Sequence, residues 1–252
     1  MGRLDAFHLP GEAFAPPYAL TGSEAHHCAR VLRKAVGDRV RVFDGAGREG
    51  EFVVSDLARD RVGLTPVSLS EIPPEANAVW LAAGFSRSAR RDFFLEKAVE
   101  LGAAGIVFWQ AARSQGRMPD APKEAWAAAL VAAAKQCGAA RLPELAVVAG
   151  GAAGLAAAWR DPDARRYLLW EEADSSGRLC VADVAAPGRA LFVLGPEGGL
   201  TEAEAALFIA AGFLPASLGE RILRWETAGL AVLALRLAGA PPRSAGPCPA
   251  WP

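Results

Sequence analysis

Apolar and polar positions change rhythm near residue 75. Before it, the apolar residues come in short alternating runs: Arg39-Val-Arg-Val-Phe43, Glu51-Phe-Val-Val54 and Arg61-Val-Gly-Leu64. Alternation of this kind is the mark of a strand with one buried face, and Asp44-Gly45 between the first two runs predicts a hairpin turn. From Ser23 to Lys34 the period lengthens, placing Ala25, Ala29 and Leu32 on one helical face. The pattern predicts a small β-barrel with an inserted helix. Two prolines in Ser70-Glu-Ile-Pro-Pro-Glu-Ala76 suit neither rhythm and mark a linker, so the chain divides into residues 1–72 and 73–239.

Beyond the linker, continuous apolar runs alternate with helical patterns. Val79–Ala83, Gly105–Trp109, the stretch near Leu145, Tyr167–Trp170, the run ending at Leu194 and a short stretch at Ala216–Leu218 predict strands. Arg91–Leu101, Pro122–Cys137, the segment from Glu202, and Glu226–Ala238 predict helices, with Gly102, Gly138 and Gly212 placed to close three of them. This order predicts an α/β domain with a mostly parallel sheet and helices on both faces, whose ligands bind outside the carboxyl ends of the strands. Residues 240–252 hold five prolines without periodicity and are expected to form a flexible tail.

Two glycine turns follow strands in the second half. The first is Leu194-Gly-Pro-Glu-Gly-Gly-Leu200, continued by a Thr201-x-x-Glu204 capping box. Such a turn bares main-chain N–H and C=O groups to a small molecule. It lacks the Gly-Lys-Ser/Thr ending and the Gly-x-Gly-x-x-Gly spacing of phosphate cradles, and Glu197 would repel a polyphosphate, so a neutral or cationic ligand suits it better. The second turn, Leu218-Gly-Glu-Arg-Ile-Leu-Arg224, leads into Trp225-Glu-Thr-Ala228 and mixes aliphatic side chains with Arg221, Arg224 and Glu226. Together they can wrap a nucleoside and aim charge at a reacting partner.

Composition narrows the class further. The 252 residues are 52% hydrophobic and 22% charged, enough for an ample core. No apolar run reaches the ~18 residues of a membrane span, and the N-terminus has no signal-peptide pattern, so a cytoplasmic protein is expected. Cys28, Cys137, Cys180 and Cys248 are far apart and only three histidines accompany them, which argues against a structural zinc site or a disulfide framework. A net charge of -1 means that contact with nucleic acid must rest on local patches. Two candidates are Arg30, Arg33, Lys34, Arg39 and Arg41, clustered within twelve residues, and Arg87, Arg90 and Arg91 at a helix start, where cations oppose the helix dipole.

These motifs resemble those of the RsmE family of the SPOUT superfamily. The likeness rests on Leu194–Leu200 with Thr201 and Glu204, on Leu218–Arg224 and on Glu226-Thr-Ala228. It extends to Arg30-Val-Leu-Arg33, Phe43-Asp-Gly45, Ser86-Arg87, Lys97-x-x-Glu-Leu-Gly102 and Gln136-Cys-Gly138 with Arg141 and Pro143. The resemblance implies a PUA-like RNA-binding domain followed by a trefoil-knotted methyltransferase domain. It also implies a metal-free homodimer that methylates N3 of a uridine in 16S ribosomal RNA, within the small ribosomal subunit, from S-adenosylmethionine. On this basis Leu169, Leu194, Gly195, Pro196, Glu197, Gly198, Gly199, Leu218, Gly219, Ile222, Leu223, Thr227 and Ala228 are expected to bind the donor. Arg224 is expected to stabilise the uracil anion and Glu226 to orient Arg224. Arg30, Arg33, Lys34, Arg87, Arg90, Arg91 and Arg221 are expected to meet RNA. Three positions depart from the family pattern: Trp225 stands where threonine is frequent, Arg90 where lysine is common and Ala139 where arginine often follows the glycine. The alternatives are another SPOUT enzyme acting on a ribose 2'-oxygen, or an RNA-binding module without catalysis. A dinucleotide oxidoreductase lacks its fingerprint here.

Overall fold

The structure, a computed structural model, describes residues 4–87, 89–159, 161–171 and 177–239; the tail expected at 240–252 lies outside the described residues. The N-terminal part is a five-stranded sheet in the order β1-β3-β4-β5-β2, formed by β1 (Ala6–His8), β2 (Ala19–Thr21), β3 (Arg39–Phe43), β4 (Arg48–Leu57) and β5 (Arg61–Glu71). β1 runs parallel to β3 and the other pairs are antiparallel. Register shifts at Glu51/Phe52 and Val54/Asp56 bend β4 against β5, which curls the sheet around Phe7, Val40, Val42, Phe52, Val54 and Val62. The inserted helix is α1 (Gly22–His26), which widens into a π-helical turn at His27–Val31. β5 reaches Glu71, so the expected linker gives its first two residues to the strand.

The second part is a six-stranded parallel sheet in the order β11-β9-β10-β6-β7-β8. Its strands are β6 (Asn77–Gly84), β7 (Gly105–Trp109), β8 (Glu144–Val148), β9 (Arg165–Leu169), β10 (Gly188–Leu194) and β11 (Leu214–Ala216). The helices are α2 (Ala89–Glu100), α3 (Glu124–Cys137), α4 (Gly151–Ala158), α5 (Val181–Ala185), α6 (Glu202–Ala210) and α7 (Trp225–Gly239). Alternate residues of the central strands enter two cores. Leu81, Ile106, Phe108, Phe192 and Leu194 pack with α2, α3 and α7, whereas Ala82, Val107, Trp109, Leu191 and Val193 pack with α4 and α6. Burial on both faces is why these strands read as unbroken apolar runs.

β6 leads through α2 to β7 on one side, while its neighbour β10 leads through α6 to β11 on the other. Their carboxyl ends therefore flank a crevice at a reversal of strand order, the usual ligand position in an open α/β sheet. The α3–β8 connection joins the two parts of the molecule. Leu142 N donates to Gly45 O (2.8 Å), Gly47 N to Ala140 O (3.1 Å) and Arg141 Nε to Ile72 O (2.8 Å), and Lys135 pairs with Glu24. The motif at Gln136–Pro143 is thus a docking strap.

Candidate active site

The turn after β10 is closed by Gly199 N donating to Pro196 O (2.9 Å), with Gly199 at φ +73°. Thr201 caps α6: its Oγ1 accepts from Glu204 N (3.2 Å), and its own N–H donates to Glu204 Oε2 (2.9 Å). The other Glu204 oxygen accepts from Ala112 N (2.8 Å), and Arg113 donates to Gly198 O (3.1 Å) and Leu200 O (3.2 Å). The turn is therefore held from the β7–α3 connection, 85 residues away in sequence. At the end of β6, a Cβ on Gly84 would stand 2.6 Å from Pro196 N, so the close approach of the two strand ends requires glycine there.

The second turn leaves β11 through Ser217, whose Oγ accepts from Gly219 N (3.1 Å), with Gly219 at φ +128°. Gly229 sets the start of α7 tightly against Phe94 and Leu194, since a Cβ there would lie 2.8 Å from the Phe94 ring. The 218–224 segment is thereby brought beside the first turn, and two adjoining cavities result. The larger, about 440 Å³, is lined by Arg90, Leu169, Glu171, Leu194–Leu200, Ile222–Trp225 and Ala228. The smaller, about 100 Å³, lies between Leu169–Glu171 and Ala216–Leu223, with Ala228. Leu169, Glu171, Ile222, Leu223 and Ala228 line both.

All the residues expected around the donor line one or other cavity except Thr227, which is exposed on the first turn of α7. Arg221, expected to face RNA, lines the smaller cavity. Glu226 is buried at 7% exposure and faces Arg90, with 3.6 Å between Arg90 Nε and Glu226 Oε1. The expected contact from Glu226 to Arg224 is not formed. Arg224 is exposed at the cavity and its side chain has no hydrogen bond or ion pair among the described residues, among which Glu226 Oε2 also has no hydrogen-bond partner. Trp225 is buried against Phe94 with ring centroids 5.0 Å apart, so it forms the wall below these charges.

Two further residues belong to the site. Glu171, just past the carboxyl end of β9, has Oε1 2.9 Å from where a Gly199 Cβ would stand. Its position after a strand was the available signal. Arg113 carried none, because its partners are carbonyl groups distant in sequence.

The two basic patches divide. In the first, Lys34 pairs with Asp5 (2.6 Å), which raises its pKa, Arg39 pairs with Glu51 (2.6 Å) and Arg41 with Glu49, whereas Arg30 and Arg33 stay exposed and unpaired among the described residues. Arg33 has φ +53°, and the π turn before it sets these two side chains at the surface. In the second patch Arg90 turns into the cavity, Arg87 is exposed, and Arg91 lies 4.9 Å from the Trp126 ring centre and 3.1 Å from Asp92.

A family model described as an RNA methyltransferase domain matches residues 73–236, and another described as an RNA methyltransferase PUA domain matches residues 20–66. The chain is 29% identical over 232 residues to ribosomal RNA small subunit methyltransferase E of Bacillus subtilis (strain 168), covering 87% of this chain and 89% of that protein. It is also 29% identical over 216 residues to the protein of the same name from Mycobacterium tuberculosis (strain CDC 1551 / Oshkosh), covering 84% and 82%. Among solved structures, a ribosomal RNA small subunit methyltransferase E from Neisseria gonorrhoeae bound to S-adenosyl methionine superposes with a TM-score of 0.79 at 25% identity, covering 94% of this chain and 98% of that one.

Proposed function

Because the chain belongs to the RNA methyltransferase family, whose domain model spans residues 73–236, we propose that it methylates N3 of a uridine in 16S ribosomal RNA of the small subunit, with S-adenosylmethionine as donor. The observation that carries this reading is the convergence of the two glycine turns on one cavity system. The relatives' names support the small-subunit substrate, and the Neisseria structure, with its bound S-adenosyl methionine, supports the donor.

The residues present fit that donor. Gly195, Gly198 and Gly199 leave the main chain open, the cavity volume of about 440 Å³ is within the ~300–1,000 Å³ of small-molecule sites, and the carboxylates of Glu171 and Glu197 suit a cation. When bound, S-adenosylmethionine supplies an electrophilic methyl group on a positively charged sulfur. Leu194, Leu218, Ile222 and Leu223 hold the adenosine portion through apolar contact and the adjoining main chain. Holding donor and acceptor at near-attack distance is the larger part of the work, an effect that reaches ~7–11 kcal/mol. Uracil N3 also has to lose its proton. Arg224, whose side chain is unpaired among the described residues, stabilises the resulting anion at a carbonyl oxygen, while Glu226 holds Arg90 at the cavity wall as a second cation. Arg30, Arg33 and Arg87 face the RNA backbone.

The same reading, supported by the family resemblance, makes the protein a cytoplasmic homodimer with a knotted C-terminal connection; light scattering of the purified protein reads the dimer. The chemistry is tested by mass spectrometry of nucleosides from the 16S RNA of small-subunit particles treated with the protein and labelled donor. 3-Methyluridine is expected, and a 2'-O-methylated product overturns the assignment.

A further inference from the structure

A second cleft, about 900 Å³, opens beside the donor cavity between the β6–α2 and β7–α3 connections. Arg87, Arg91, Arg117 and Lys123 line it against two carboxylates, Asp92 and Asp120. On a chain with a net charge of -1 this is a concentrated local excess. Asp92 is already taken by Arg91, at 3.1 Å. Arg87, Arg117 and Lys123 have no ion pair among the described residues and are exposed.

Two of the four cations, Arg87 and Arg91, are held in place. Ser86 and Gln115 form a strand-like bridge between the β6–α2 and β7–α3 connections, and Gln110 braces the loop by donating to Gly116 O (3.2 Å) and accepting from Met118 N (2.8 Å). Gly116, at φ +86°, lets Arg87 lie across this loop, since a Cβ there would stand 3.0 Å from Arg87 Cδ and Nε. Arg91 is fixed over the Trp126 ring at 4.9 Å. Guanidinium groups placed in advance lose less rotamer freedom when an anion arrives. The first turn of α2 separates this cleft from the donor cavity: Arg90 lines the cavity, and Arg87 and Arg91 line the cleft. A helical turn rises only ~5 Å.

We infer that this cleft is a site for the sugar-phosphate backbone of the substrate RNA next to the methylated nucleotide, with Arg117 and Lys123 contacting phosphates alongside Arg87 and Arg91. The inference rests on the RNA methyltransferase reading above and adds Arg117 and Lys123 to it. Each phosphate contact releases counterions, so it contributes ~0.7 (single strand) to ~0.9 (duplex) to the slope of log affinity against log salt concentration.

The test measures binding of deproteinised 16S RNA to the full chain across a salt series. It compares wild type, an Arg117→Gln/Lys123→Gln double variant, and Arg59→Gln, which removes an exposed cation from the β4–β5 hairpin. The double variant is expected to lose about 1.4–1.8 from the slope and about tenfold or more in affinity, with S-adenosylmethionine binding by calorimetry and Arg59→Gln both unchanged. A double variant whose slope matches that of wild type overturns the inference even if 16S RNA is methylated normally. A wild type that does not bind deproteinised 16S RNA overturns the inference, and one that also leaves the 16S RNA of small-subunit particles unmethylated overturns the functional reading with it.

Discussion

Arg224 and Glu226 show how much two side chains' surroundings decide their roles. Both stand on one short segment, and spacing alone suggests a pair. The burial of Trp225 against Phe94 turns Glu226 inward to Arg90 and leaves Arg224 at the cavity. A guanidinium with no partner among the described residues is the one available to a developing anion. Removing one such donor costs about 10²–10³ in turnover where it stabilises the transition state. Arg224→Ala is therefore expected to lower kcat on 16S RNA by at least ~10²-fold and to leave the calorimetric affinity for S-adenosylmethionine unchanged. Near-wild-type turnover would remove Arg224 from the chemistry. Glu226→Gln is isosteric and keeps the packing, but Arg90 loses the charge facing it. Its effect is expected in kcat, with thermal stability changed by less than ~1.5 kcal/mol because the pair is long and its arginine partly exposed.

At the scale of elements, the β7–α3 connection binds the site together. Arg113 spans to the carbonyl groups of Gly198 and Leu200, and Ala112 N reaches Glu204, so the conformation of the glycine turn depends on a loop from another strand. Hydrogen bonds from a charged group are worth ~1.5–3 kcal/mol, which corresponds to ~10–100-fold in affinity if the turn binds donor only in this shape. Arg113→Ala should weaken donor binding by that amount and Arg113→Lys should restore part of it, as measured by calorimetry. An unchanged donor affinity would mean that the turn is rigid by itself.

This dependence also marks where sequence reading stops. The strands Arg39–Phe43, by alternation, and Gly105–Trp109, as an unbroken apolar run, were legible to the residue because their patterns are local, and so were both glycine turns and the α6 capping box. The helix Gly151–Ala158 was not, because Gly-Ala-Ala-Gly-Leu-Ala-Ala-Ala has no polar face to define a period. The short edge strands Ala6–His8 and Ala19–Thr21 exist by pairing with distant partners, and nothing local announces them. The clamp of Arg113, the pairing of Arg90 and the docking role of Arg141 are likewise contacts between segments far apart in the chain.

For the whole molecule, the question is how the N-terminal sheet is held to the catalytic part. His8 lies in this junction. Its Nε2 donates to Asp44 O (3.2 Å), and Glu24 and Lys135 face it. Burial is the largest influence and lowers its pKa from the ordinary 6.5, against the raising effects of the Asp44 carbonyl and the Glu24 carboxylate. A depressed histidine favours the neutral form in the folded state, so its contribution is complete above pH 6.5 and declines as pH falls below that value. Melting temperature should therefore drop as pH falls below about 6.5, and His8→Gln should flatten that part of the curve. An equal slope in the variant would assign the loss to other groups.

The strap at 138–142 gives a test that separates docking from chemistry. Arg141 Nε donates to Ile72 O at 2.8 Å, and Gly47, at φ +108°, has no side chain because the Arg141 guanidinium occupies that space. Neither residue lines the donor cavities. Arg141→Ala removes the hydrogen bond and leaves the main-chain bonds Leu142 to Gly45 and Gly47 to Ala140 in place, so the sheet is loosened without being released. The bond is exposed, and its loss should cost about 1–2 kcal/mol. If exposed Arg30 and Arg33 grip RNA while the parallel sheet presents the methyl donor, this loosening raises the KM for RNA several-fold. It leaves the affinity for S-adenosylmethionine and kcat at saturating RNA near wild type. A matching fall in kcat would instead mean that the strap supports the catalytic sheet itself. An unchanged KM would mean that the N-terminal sheet does not hold the RNA in register with the site.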